Sequence, residues 1–132
     1  MKPIVLAISL MALVGCIHRD PLGVGYLIVD NQTNEQISVS YKLVYYDADT
    51  VTVCVLPQTK DTIYSEVGIG GCFTLGQLKV FEIATCDNPT HVLYKQEPIN
   101  ELEWIVDEQS TKGGFCYYSS NTFVVTDTLL NQ

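Results

Sequence analysis

The sequence predicts an all-β fold, a single antiparallel β-sandwich with a small β-barrel as the alternative, on three observations. After residue 20 there is no methionine, and alanine occurs only at Ala48 and Ala84, while Val, Ile, Thr and Tyr are abundant. Good helix formers are therefore scarce, and β-branched and aromatic side chains suit a pleated surface. Apolar and polar residues alternate at period two, most clearly in Ile37, Val39, Tyr41, Leu43 and Tyr45, with Ser38, Ser40 and Lys42 on the opposite face. Turn-forming clusters recur about every ten residues, the spacing of a sandwich or small barrel.

In chain order the candidate strands are 25–30, 37–46, 51–56, 62–69, 78–85, 92–95, 102–107, 115–119 and 122–127. Between them stand Asn31-Gln32-Thr33-Asn34, Asp47-Ala48-Asp49, 57–61, Gly70-Gly71, Asp87-Asn88-Pro89 and Lys112-Gly113-Gly114, all rich in turn chemistry. Segment 98–109 reads two ways. A short helix starting at Pro98 places Ile99, Leu102 and Val106 on one face. A strand points Leu102, Trp104 and Val106 inward and Glu101, Glu103 and Asp107 outward. The strand is the preferred reading.

With 132 residues, 47% of them hydrophobic and 17% charged, the chain suits one globular domain and is not intrinsically disordered. Seven basic against fifteen acidic side chains give a net charge of −8, with Arg19 the single arginine. That balance lacks the basic footprint of a nucleic-acid-binding protein.

The start of the chain reads as an address. Met1-Lys2-Pro3 is a short positive segment, and Ile4 to Val14 is apolar apart from Ser9. As a helix this run spans about 16 Å, well short of the roughly 30 Å hydrocarbon core of a bilayer, so it reads as a secretory signal. It ends in Leu13-Val14-Gly15-Cys16, which resembles the lipobox of bacterial lipoproteins. The resemblance implies that Cys16 receives a diacylglycerol thioether and, after cleavage, becomes the mature N-terminus. Multiple acyl chains hold a protein on a membrane stably where one does not. The implied organisation is a signal peptide at 1–15, a lipidated tether at 16–24 and a β-sandwich at 25–132. Ile17, where inner-membrane retention in enteric-type bacteria usually shows aspartate, implies the outer membrane, with the periplasmic or surface side left open. Removing residues 1–15 takes away Lys2 alone, leaving six basic against fifteen acidic side chains and a net charge of −9.

Four further cysteines, Cys54, Cys72, Cys86 and Cys116, predict two disulfides in an oxidising compartment. Three pairings are open. Cys72 and Cys116 each lie shortly after a Gly-Gly pair. Cys72, Cys86, His91 and Cys116 match no zinc spacing and contain no Cys-x-x-Cys, so no metal and no cofactor is expected. His91 stands at a loop–strand junction without a recognisable nucleophile, and His18 lies in the tether. Asp47-Ala48-Asp49-Thr50 alternates like a calcium loop but lacks its glycine and later glutamate, so a turn with solvated carboxylates is expected. Gly68-Ile69-Gly70-Gly71 precedes no helix pattern, which argues against a phosphate loop. Asn31-Gln32-Thr33 spells a glycosylation sequon that a bacterial lipoprotein would not use.

Two features point toward binding. Glu97, Glu101, Glu103, Asp107 and Glu108 form either the wet face of one strand or a docking patch for a basic partner. Eight tyrosines, four phenylalanines and Trp104 serve as core filler or as an exposed platform for sugar or peptide, and Tyr45-Tyr46 and Tyr117-Tyr118 should each turn one ring outward. The body resembles small lipoproteins of Bacteroidota-type bacteria. The matching pieces are Ile28-Val29-Asp30-Asn31-Gln32-Thr33 followed by Ile37-Ser38-Val39, then Leu78-Lys79-Val80-Phe81-Glu82-Ile83, Trp104, and Phe123-Val124-Val125-Thr126. That resemblance implies a compact β-rich domain without assigned activity and carries over no functional residue except Cys16. The expected role is non-enzymatic, an accessory or interaction protein held to the envelope by lipid on Cys16. The alternatives are an inhibitor or immunity lipoprotein against a basic lytic enzyme, and a glycan- or peptide-binding module.

Overall fold

The computed structural model describes residues 22–45, 48–69 and 71–132. The signal peptide, Cys16 and His18 lie outside them, as do Tyr46, Asp47 and Gly70. Eight strands form among the described residues: β1 Leu22–Asn31, β2 Ile37–Leu43, β3 Val51–Val55, β4 Thr59–Ile69, β5 Leu78–Thr85, β6 Tyr94–Gln96, β7 Ile105–Ser110 and β8 Cys116–Val125. They build two four-stranded sheets, sheet A in the order β4-β1-β8-β7 and sheet B in the order β3-β2-β5-β6. The chain is the all-β sandwich that the sequence predicts, and no closed barrel forms.

Several details differ from expectation. β1 begins at Leu22, three residues before the expected strand, so the segment between Cys16 and the body is shorter than predicted. Candidate strands 115–119 and 122–127 are one continuous strand, β8. The chain then turns at Thr126 into a short helix, α1 Asp127–Leu130, whose first turn is capped by the Thr126 hydroxyl accepting from Leu129 N. β1 and β8 pair in parallel, whereas the sandwich was expected to be antiparallel throughout. A parallel pair needs a long crossover, and here the whole of β2 to β7 supplies it.

Period two carries the core. β1 buries Leu27 and Val29, β2 buries Ile37, Val39 and Tyr41, and Phe81, Ile83, Phe123 and Val125 meet them from β5 and β8. At one end of β1 the rule inverts. Gly23 and Gly25 face inward there, because segment 71–73 crosses directly over them. A Cβ on Gly23 would lie 2.4 Å from Gly71 O, and one on Gly25 would lie 2.5 Å from Phe73 N. The larger residues of that stretch, Leu22 and Val24, are consequently left on the outer face.

Both disulfides form, as Cys54–Cys86 and Cys72–Cys116. Register places Cys54 opposite Ser38, and Ser38 opposite Ala84. The first disulfide therefore reaches over β2 on the outer side of sheet B, where Ser38 is buried. The second ties segment 71–73 to the start of β8, at the Leu22 end of sheet A.

The opposite end is closed by polar groups. Asn31 is fully buried, and its Nδ2 donates to the carbonyls of Glu35 (2.8 Å), Leu56 (3.0 Å) and Val55 (3.3 Å). Its Oδ1 accepts from Thr33 Oγ1 and Thr33 N. An amide committed in this way is no glycan acceptor, and the sequon motif is a structural hub. Gln58 completes the corner at φ 53°, in the left-handed region, with its side chain donating to Gln32 O and Thr33 O.

Candidate functional site

The most distinctive surface lies between β6 and β7. Segment 98–109 is neither the helix nor the unbroken strand considered above. Asn100 caps a single 3₁₀ turn at Glu101–Glu103, its side chain accepting from Leu102 N, and strand geometry resumes only at Ile105. The turn throws Leu102 outward, 95% exposed, whereas the strand reading pointed it inward. Trp104 alone of the expected inward trio is buried. Val106 does face the inner side, opposite Asn121 of β8. It stays exposed because β6, the sheet B edge, has only three residues and cannot cover it.

A polar network beneath the turn holds it in one shape. Buried Gln96 is the centre: its Oε1 accepts from Trp104 Nε1 (2.9 Å) and Asn100 N (3.2 Å). Its Nε2 donates to Glu103 Oε2 (2.9 Å) and to the Tyr94 hydroxyl (2.8 Å). The Tyr94 hydroxyl donates in turn to the Glu103 carboxylate, whose other oxygen accepts from Asn100 Nδ2 (2.9 Å). The hydrogen bond from Tyr94 is the main cause that holds the Glu103 carboxyl below its ordinary range. Tyr94 is pushed above its ordinary value, first by burial and then by that same bond. Under the network Trp104, Phe81 and Phe123 pack mutually at 4.9 Å between ring centroids, and Tyr94 lies 5.4 Å from Phe123. Connected polar groups over a tight aromatic cluster make a rigid pedestal.

The acidic group expected here is divided by the fold. Glu97 pairs with Lys95 at 2.9 Å, which holds its carboxyl below the usual range, and Lys95 also reaches Glu82 at 3.1 Å. Glu103 belongs to the pedestal. Glu101, Asp107 and Glu108 are exposed and form no ion pair among the described residues. On β7 Ile105 and Asp107 face the outer side of sheet A and Val106 and Glu108 the inner side, while Leu102 and Glu101 stand on the turn before it, all of them exposed. The acidic residues are therefore spread over a turn and both faces of an edge strand, with one leucine projecting beside them, and do not form the wet face of one strand.

Beside it lies a groove of about 90 Å³ lined by Phe73, Leu75, Glu101, Val106, Glu108 and Ser119. Its volume is well below the roughly 300 Å³ at which small-molecule pockets begin. The Ser119 hydroxyl donates to Phe73 O and has no histidine partner among the described residues. A wider hollow of about 310 Å³ lies by Cys72, walled by Glu66, Ile69 and Gln77. Among the described residues no three of His, Cys, Asp or Glu converge on a metal position, and the cysteines of the rejected zinc set belong to two different disulfides. His91 is exposed in the loop before β6, its backbone N–H donating to Asn88 O. Tyr41, Tyr64 and Tyr94 join the core or its margin, while Tyr117 is exposed and Tyr118 packs on Tyr26 at 5.8 Å on the outer face of sheet A. Compared with known proteins, the chain matches no family model, no curated protein and no solved structure.

Proposed function

We propose that this chain is a lipid-anchored protein of a bacterial envelope, outer-membrane in placement, whose work is to hold a protein partner and not to catalyse a reaction. The lipobox at Leu13-Val14-Gly15-Cys16 supports the anchor. Leu102 carries the binding role: a leucine 95% exposed on a turn braced by six hydrogen bonds around Gln96 and Glu103. A large apolar side chain carried on a backbone already held by hydrogen bonds leaves little main-chain ordering to be done on binding, a condition that favours its use as an anchor. The exposed carboxylates Glu101, Asp107 and Glu108 near this turn suit a basic partner and would speed encounter with it. The partner of matching chemistry is a cationic protein with an apolar socket. A lytic enzyme of that character would make this chain its inhibitor.

The test is capture from detergent-solubilised envelopes by the full lipidated chain and by its Leu102→Asp form. A basic protein should be retained by the first, released as salt rises, and bound at least about thirtyfold more weakly by the second. Loss of the captured protein's enzymatic activity on binding marks the inhibitor form of the reading. Capture unaffected by Leu102→Asp, or no capture at low salt, overturns the proposal.

A further inference from the structure

We infer that the outer face of sheet A at its Leu22 end is a membrane-contacting surface, seated on the bilayer that holds the anchor. This rests on the proposed lipidation of Cys16.

Along β1 the outward residues run Leu22, Val24, Tyr26, Ile28 and Asp30. Their partners on β4 are Ile69, Val67, Ser65, Thr62 and Lys60. On these two strands the face thus grades from aliphatic at the Leu22 end to charged at the far end, while β8 and β7 beside them carry Tyr118, Gln109, Ser120 and Asp107 on the same side. Leu22, Val67 and Ile69 are 60%, 68% and 74% exposed, on a face that in an ordinary sandwich is polar. Tyr26 lies in the middle of the gradient and Tyr118 one step nearer the Leu22 end, level with Val24, where rings with an apolar body and polar tip suit a headgroup zone.

The gradient follows distance from the anchor. Five residues separate Cys16 from Leu22, and the six Cα steps reach at most about 20 Å. The aliphatic end is therefore the end that a lipid on Cys16 confines near the bilayer. Ile105, in register with Ile28 through Thr122, lies six residues further along the sheet than Leu22, about 20 Å at strand rise, so the Leu102 turn is well separated from the aliphatic end. The aliphatic patch is about six side chains, against the roughly 20–30 residues a side of a stable protein interface, so it is too small to hold a second copy alone. A bilayer already tethered to it needs far less, because the anchor raises the local concentration.

The experiment uses the full lipidated chain in vesicles of phosphatidylethanolamine and phosphatidylglycerol doped with a phospholipid carrying a photoreactive acyl chain. Cross-linked peptides are mapped by mass spectrometry, and the same spectra report the lipid on Cys16. Labelling should fall on 22–28, 65–69 and 118–120, persist in high salt, and drop about tenfold in Val67→Asp with Ile69→Asp. Both positions are exposed, so an unchanged melting temperature confirms that the variant is folded. Labelling absent from the patch while Cys16 carries lipid overturns this inference alone. A chain-to-chain cross-link through Val67 or Ile69 in place of lipid labelling overturns it in favour of a dimer. A bare Cys16 thiol overturns the anchor reading and this inference with it.

Discussion

The Leu22 end of sheet A and the turn at 98–104 both leave aliphatic side chains in water, and they do so by opposite means. At the Leu22 end the backbone is pinned. Segment 71–73 presses on Gly23 and Gly25, a disulfide fastens it to β8, and the side chains excluded from the interior form an uncharged patch on a flat sheet. At the turn the side chains do the holding. Gln96, Tyr94, Asn100 and Glu103 support a single protruding leucine among carboxylates. Exposed apolar area alone says little about its occupant. The company it keeps is more telling: an uncharged patch beside a proposed anchor suits lipid, and a projecting leucine near exposed carboxylates suits a basic protein.

The comparison breaks most readily at the disulfide. Cys72→Ala with Cys116→Ala opens a 44-residue link and should cost about 4 kcal/mol of unfolding free energy, measured by denaturant titration. Amide exchange should then quicken at 22–26 and 116–119 while Trp104 fluorescence below the transition stays native. Equal loosening at the turn would show that the two regions are one cooperative unit.

Gln96→Leu probes the other side. It strands the buried Trp104 N–H, takes the acceptor from the part-buried Asn100 N–H, and removes two donors from Tyr94 and Glu103. A cost of about 2 kcal/mol is expected, with a red-shifted Trp104 emission and weaker partner capture. Exchange at 22–26 should not change.

The smallest effect is that of pH. Glu103 is held below its ordinary 4.5, chiefly by the Tyr94 hydroxyl, so its contribution is complete above that value and lost as pH falls through the lower folded value. Tyr94 is raised above 10.0, chiefly by burial, so its contribution is complete below that value and lost as pH rises through the higher folded one. Trp104 emission should be flat between the two and drift at either extreme. Glu103 is exposed and screened, so its share is well under about 1 kcal/mol. A drift near neutrality would contradict the network.

Much of the interior was legible in the chain. Ile37, Val39 and Tyr41 were read as one face from alternation alone, and they are buried as a set. The cysteine count foretold two disulfides. Leu102 departs from the expected strand 102–107 because its first two positions lie in the 3₁₀ turn, where the chain is not extended. The signal that could have found the turn was Asn100, a capping residue two positions after a proline. The aliphatic slope had a signal too: Leu22-Gly23-Val24-Gly25 places glycine on the alternate positions that a core strand would fill.

The sequence by itself determined an all-β body, its approximate strand positions and the expectation of paired cysteines, since period two and turn chemistry are local properties of consecutive residues. Only the tertiary structure decided that Cys54 joins Cys86, that β1 and β8 run parallel, and that Val106 is exposed on an inward face. Those outcomes depend on which strands become neighbours and how far each sheet extends over the other. A side chain's direction is set by its own backbone, but its burial is set by whatever the rest of the chain places in front of it.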